Sequence, residues 1–198
     1  MNRSQPKDDL QSYLQEARDA ILLKLEGISE YDVRRPLTST GTNLLGLVKH
    51  LTGVELGYFG QAFERPFEEP FPWLDGDAED NADMWATEDE SREEVVARYR
   101  RVWQHSDATI AALPLDALGT VPWWSEANRE VTLHKILVHV TAETHRHAGH
   151  ADIVRESVDG GVGYRSQGDN LPAGDATWWK EYVDRLERTA RAFRTDRG

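Results

Sequence analysis

Cysteine is missing altogether from this 198-residue chain, and methionine occurs only twice. The missing thiols exclude disulfides, thiolate zinc sites, iron–sulfur ligation and a cysteine nucleophile. Long hydrophobic runs are also missing. The stretch around Ile136 to Val140 is interrupted by His139 and is far too short to span a bilayer. Positive charge is in deficit: 23 Lys and Arg stand against 35 Asp and Glu, a net −12. Nucleic acids and anionic membranes both reward a basic face, so neither is expected as a partner. The N-terminal MNRSQPKDDL has no apolar core after Arg3 and does not read as a secretory signal, so a cytoplasmic location is expected. No repeat and no linker between two cores divides the chain, which is expected to form a single domain over residues 1–198.

What is present is helical periodicity. Leu10, Leu14, Ala17, Ile21 and Leu25 recur at spacings of three or four, with Gly27 as a stop. A second helix is expected from Thr42 or Asn43, either of which can cap it, through Leu44, Leu47, Leu51 and Val54 towards Pro66. A third begins around Thr87, where Thr87 and Glu90 have capping-box spacing, and ends at Pro114. A fourth runs from about Val131 to Val158 and stops at Gly160 and Gly161. A last one spans about Ala176 to Phe193. No stretch alternates long enough to predict a strand. The expected fold class is all-α: a four-helix bundle with long loops and an additional C-terminal helix. Residues 64–86 form the most unusual loop, with Pro66, Pro70, Pro72 and Trp73 followed by an acidic run from Asp75 to Asp83. It reads either as a solvated acidic loop or as one that covers a site. The Trp123–Trp124 pair and the Gly-rich tract from Gly160 to Gly174 pose the same choice.

The fourth helix carries the chemistry. With Glu143 at zero on a wheel of about 100° per residue, His147 lies at about 40°, His150 at about −20° and His139 at about −40°. These four share or border the apolar stripe of Leu133, Ile136, Val140 and Val154, whereas His134 and His145 fall near the opposite side and read as solvated. Burying several polar groups together is costly without a common partner, and a divalent metal is an economical one. On the second helix, His50 sits at the edge of the arc formed by Leu47, Leu51 and Val54. Glu55 lies on or near that arc, where it could orient a ligand or act on a substrate. A single His in such a place is more often a satisfied core or boundary residue. The i, i+4 pair Glu143 and His147 fits a shared ion better. His50, Glu143 and His147 would form a three-ligand set that leaves positions open for water or substrate. Zinc foremost, and nickel, manganese or iron as well, accept such nitrogen and oxygen donors. His150 is a fourth ligand, a partner of a ligand, or a base near the metal.

The segments LLGLVKHLTGVE (Leu44 to Glu55) and HVTAETHRHAGHADIVRE (His139 to Glu156), the latter followed by DGG, resemble the DinB/YfiT-like superfamily of metal-binding four-helix bundles. More narrowly, they resemble an uncharacterised actinobacterial-type branch of it. The resemblance implies a divalent metal held by His50, Glu143 and His147. Many members carry His where this chain has Glu143, and a carboxylate there is similar to mycothiol-dependent maleylpyruvate isomerases. His150 stands where many relatives carry Gln. Several branches use mycothiol or bacillithiol, so the resemblance implies a low-molecular-weight thiol cosubstrate and a small-molecule electrophile, in a transferase or isomerase reaction. His150 or Glu55 would then handle protons or position substrate, and loop 64–86 with Trp123–Trp124 would shape the pocket. A metal-assisted hydrolase, a non-catalytic metal- or small-ligand-binding module and a purely structural helical protein are the competing readings. Trp178 and Trp179 could support a homodimer, although packing of the last helix would account for them as well.

Overall fold

The computed structural model describes residues 5–166 and 168–194. The first four residues of the stretch read for a signal lie outside the described residues. The fold is all-α, as expected. Among the described residues no helix is long and apolar enough to cross a membrane.

Helix α1 (Pro6–Leu23) starts with Pro at its first position, where a missing N–H costs nothing. It runs into turns that end at Gly27 with φ of +71°. A short α2 (Glu30–Arg34), capped by the Ser29 hydroxyl, was not expected. Helix α3 (Leu44–Glu55) is capped by Asn43, whose side-chain oxygen accepts from the Gly46 N–H. It continues as a π-helical turn, Leu56–Gly60, and a 3-10 turn, Gln61–Phe63. Helix α4 (Arg92–Ala112) begins five residues later than the Thr87 start expected, because Ser91 is the residue whose hydroxyl caps it, accepting from the Glu94 N–H. The Thr87–Glu90 pairing still exists: the Glu90 carboxylate accepts from the Thr87 N–H at 2.9 Å, closing a turn ahead of the helix. Helix α5 (Leu133–Asp159) is capped by Thr132 and ends at Gly160 in the left-handed region, φ +74°. Helix α6 (Ala176–Arg191) is capped by Asp175 and buries none of its residues.

Helix α1 packs along α5, and α3 lies against both α4 and α5. The core falls into two groups. Around the middle of α3, Leu44, Leu47, Val48 and Leu51 meet Ile21, Val33, Val95 and Tyr99. Around the start of α5, Leu133, Ile136, Leu137 and Val140 meet Leu14, Phe59, Ile110 and Val121. Each fully buried aliphatic side chain contributes about 1.5–3 kcal/mol, so these facing stripes hold the helices in register.

A small antiparallel hairpin departs from the all-helical expectation. Strand β1 (Leu118–Thr120) pairs with β2 (Glu130–Thr132), Leu118 facing Thr132. Three-residue strands are too short to show alternation in sequence. Val131 is buried in the second core group and anchors the hairpin there. Gly119 lets the hairpin approach the end of the α3 extension, since a Cβ there would meet the Ala62 carbonyl oxygen at 2.6 Å. The loop between the strands carries Trp123 and Trp124.

Candidate metal centre

Helices α3 and α5 bring three donors together. One ligand atom from each of His50, Glu143 and His147 lies within 4.8 Å of the others. Glu143 and His147 are one turn apart on α5, with His147 Nε2 3.1 Å from Glu143 Oε1. The His50 and His147 rings meet edge-on at 4.8 Å between centroids. Burial, reinforced by neighbouring His50, holds the His147 pKa below the usual histidine value, so its ring is neutral near pH 7. With the proton of the neutral ring on Nδ1, Nε2 beside Glu143 offers its lone pair to an ion that both side chains could share. That buried Nδ1 has no hydrogen-bond partner among the described residues. Two imidazoles and one carboxylate, with His147 Nε2 and Glu143 Oε1 spaced as two ligands of one ion would be, fit a divalent cation, for which such donors sit at bond lengths of about 2.0–2.2 Å.

Loop 64–86 covers this site. Asp83, in a 3-10 turn formed by Ala82–Met84, places Oδ2 2.6 Å from His50 Nδ1. An ionised carboxylate only accepts, so Nδ1 carries the proton and Nε2 keeps its lone pair. This carboxylate–imidazole arrangement orients a metal-binding histidine. Asp83 is held there by the face of α3. Asn43 Nδ2 donates to the Met84 carbonyl at 3.1 Å. Lys49 Nζ donates to the Trp85 carbonyl at 3.0 Å and pairs with Glu90 at 2.8 Å. Between them Gly46 leaves room for the Met84 carbonyl oxygen, which a Cβ would overlap. Gly53 likewise admits Leu74 and Trp73. Sequence reasoning missed Asp83 because it sat in an acidic run whose members looked alike.

Two of the donors, His50 and Glu143, face a cavity of about 520 Å³, walled also by Asp83, Tyr58, His139 and Trp123, with Leu74 from the covering loop; His147 sits behind them and does not line it. The π-helical turn after Glu55 turns Tyr58 into this space. Trp123 reaches it because Gly57 has no side chain: a Cβ would stand 2.9 Å from the Trp123 ring. Trp124 Nε1 donates to the Tyr58 hydroxyl at 3.1 Å. His139, a boundary residue in the sequence, packs edge-on against Tyr58 at 4.8 Å and Trp124 at 5.1 Å.

The other site candidates lie apart from the three donors. His150 is exposed, its ring 5.3 Å from that of His147, and it is outside the group of three. Glu55 is fully buried behind α3. Both its oxygens accept from Arg18, Nε at 2.8 Å and an NH₂ nitrogen at 2.5 Å, and Arg18 also reaches Asp107 at 2.9 Å. Burial opposes the Arg18 charge, yet Glu55 and Asp107 outweigh it and raise its pKa. Glu55 does not line the cavity, so its placement lends no support to the substrate-facing role expected of it. The wheel put Glu55 near the right arc but could not show that Arg18 from α1 would claim it. His134 is exposed as expected, His145 is half-buried and stacks on Tyr164, and His105 bonds the Arg65 carbonyl.

Comparison with curated proteins found no match. A family model described as mycothiol-S-transferase matches residues 9–160, from α1 to the end of α5, a span that includes His50, Asp83, Glu143 and His147. Spanning well over half of the sequence, that match shows that the chain belongs to the mycothiol-S-transferase family, a DinB/YfiT-like family.

Proposed function

We propose that the protein is a divalent-metal-dependent transferase that joins a low-molecular-weight thiol of the mycothiol type to a small electrophile. The observation that carries this reading is the group of His50, Glu143 and His147 donors, of which His50 and Glu143 line a cavity large enough for a small molecule. Zinc is the metal that such a donor set suits best. When bound, it favours thiolate over thiol and so supplies a nucleophile at neutral pH. Because the chain has no Cys, the sulfur must come from outside.

His50, Glu143 and His147 would hold the ion, and Asp83 keeps His50 Nε2 free to do so. The exposed His150, whose ring lies 5.3 Å from that of His147 and outside the cavity lining, would take up the thiol proton at its ring through intervening water. The sulfur lone pair then forms the new S–C bond, and either a leaving group departs with its electron pair or an adduct takes up a proton. Leu74, Trp123 and the covering loop limit water around the reacting atoms. A neighbouring cavity of about 500 Å³ shares Gly57, Gln61 and Leu74 with the first and adds Arg65 and Asp75. This gives two reactants adjoining space.

The same reading takes residues 1–198 as one domain of a cytoplasmic enzyme. It also assigns the uncovered face of α6 to a second copy of the chain. Trp179, Val183, Leu186 and Ala190 recur at spacings of four, three and four, the pattern of a helix–helix seam. Charges of both signs flank that seam, so it offers an anionic membrane no uniformly basic face.

The test is turnover of an electrophile panel by zinc-loaded protein with and without mycothiol. Thiol-dependent product, lost in His147→Ala, is expected. Turnover at an unchanged rate in thiol-free buffer would instead establish metal-assisted hydrolysis.

A further inference from the structure

Beside the donors, part of the cavity wall is aromatic. Tyr58 meets Trp123 edge-on at 5.3 Å, Trp124 at 5.8 Å and His139 at 4.8 Å. Tyr58 and Trp123 give the cavity apolar ring surface against which a flat guest can pack. Trp123 remains half exposed although its ring is held over Gly57. The Tyr58 oxygen already accepts a hydrogen bond from Trp124 Nε1, so its own proton is left to donate.

Charge narrows the choice further. Among the described residues that line the cavity there is no Lys or Arg, whereas Asp83 and Glu143 both contribute carboxylates. Lys135 lies over the Trp124 ring, with Nζ 5.0 Å from its centroid, and does not line the cavity. A free anionic group placed against Tyr58 and Trp123 would lose its hydration and find no Lys or Arg there, and the two charges of a bound divalent ion are already matched by the Glu143 and Asp83 carboxylates.

We infer that Tyr58, Trp123 and His139 form the electrophile subsite and that its substrates are flat, uncharged aromatic molecules. Such a molecule bears a carbonyl or comparable acceptor for the Tyr58 hydroxyl. Dicarboxylates of the maleylpyruvate kind are excluded by the same wall. This inference rests on the transferase reading only for the word electrophile, since the subsite itself needs no reaction.

Binding of unreactive probes to metal-loaded protein tests it by titration calorimetry. The probes are 2-acetylnaphthalene, uncharged and carrying a carbonyl, and naphthalene-2-sulfonate, an anion of similar size that ligates metals poorly. The expected result is saturable binding of the ketone, with the sulfonate at least about tenfold weaker. Trp123→Ala should weaken the ketone about tenfold and Trp123→Phe should restore most of the loss. Equal or tighter binding of the sulfonate would overturn the inference, as would unchanged ketone affinity in Trp123→Ala. Because the probes do not react, ketone binding without thiol-dependent turnover would refute the transferase reading and leave the subsite standing.

Discussion

Asp83 stands 2.6 Å from His50 although 33 residues separate them, and no regular helix carries it there. The contact exists because the turn around Ala82–Met84 is strapped to α3 by Asn43 on one side and Lys49 on the other. Asp83 fixes which nitrogen of His50 is free. Asp83→Ala should therefore weaken metal binding about 10–100-fold while leaving thermal stability nearly unchanged. Competition with a chelator of known affinity measures the first, and a thermal melt measures the second.

Gly46 makes the same strap sensitive to one methyl group. In Gly46→Ala the new Cβ overlaps the Met84 carbonyl, and backbone must shift. A loss of about 1–3 kcal/mol in urea unfolding is expected, with weaker metal binding because Asp83 moves with Met84. Gly149→Ala is the contrasting case. That glycine is exposed on α5 with nothing within 4 Å of its would-be Cβ. This substitution should stabilise by about 0.5–1 kcal/mol and leave metal affinity as it was.

The Arg18–Glu55 pair is a foundation beneath the site. Both side chains are wholly inaccessible, so removing one strands a buried charge. Glu55→Ala should cost about 3–5 kcal/mol of unfolding free energy. Any folded fraction should still bind metal at the three donors, which chelator competition reads directly. Loss of metal at undiminished stability would instead place Glu55 in the metal centre.

Acid should loosen the strap before it unfolds the bundle. Burial raises the Glu90 pKa, but the hydrogen bond from Lys49 and the Thr87 N–H more than offset this, and it lies below the usual carboxylate range. Glu69 is lowered as well, chiefly by its hydrogen bonds from Arg101. Groups lowered by folding contribute stability that is fully present above the ordinary glutamate value and is lost as pH falls through the lower folded value. Unfolding measured from pH 6 down to pH 3 should show stability declining in that window; Lys49→Met should flatten the decline.

The helices were legible because apolar spacing marks α1, α3, α5 and α6, with Asn43 capping α3 and glycines ending the stretches after α1 and α5. The start of α4 was misplaced because Thr87–Glu90 and Ser91–Glu94 both have capping spacing, and only the backbone path decides which opens the helix. His50, Glu143 and His147 could be read from two stripes, since helical phase alone puts them on core-facing sides. Asp83, Tyr58 and Trp123 could not be read in the same way. Each reaches the cavity through irregular backbone, a 3-10 turn, a π-helical turn and a hairpin loop, whose side-chain directions no period predicts. Close approaches permitted by Gly46 and Gly57 were equally silent, because a glycine in sequence does not name what fills its space.

Metal stoichiometry by inductively coupled plasma mass spectrometry, on wild type and on His50→Ala, Glu143→Ala and His147→Ala after zinc loading and gel filtration, tests the metal centre most directly. One ion per chain in the wild type and loss of it in each folded variant is the expected result. A wild type that retains no ion, or a set of variants that all retain one, would contradict the account.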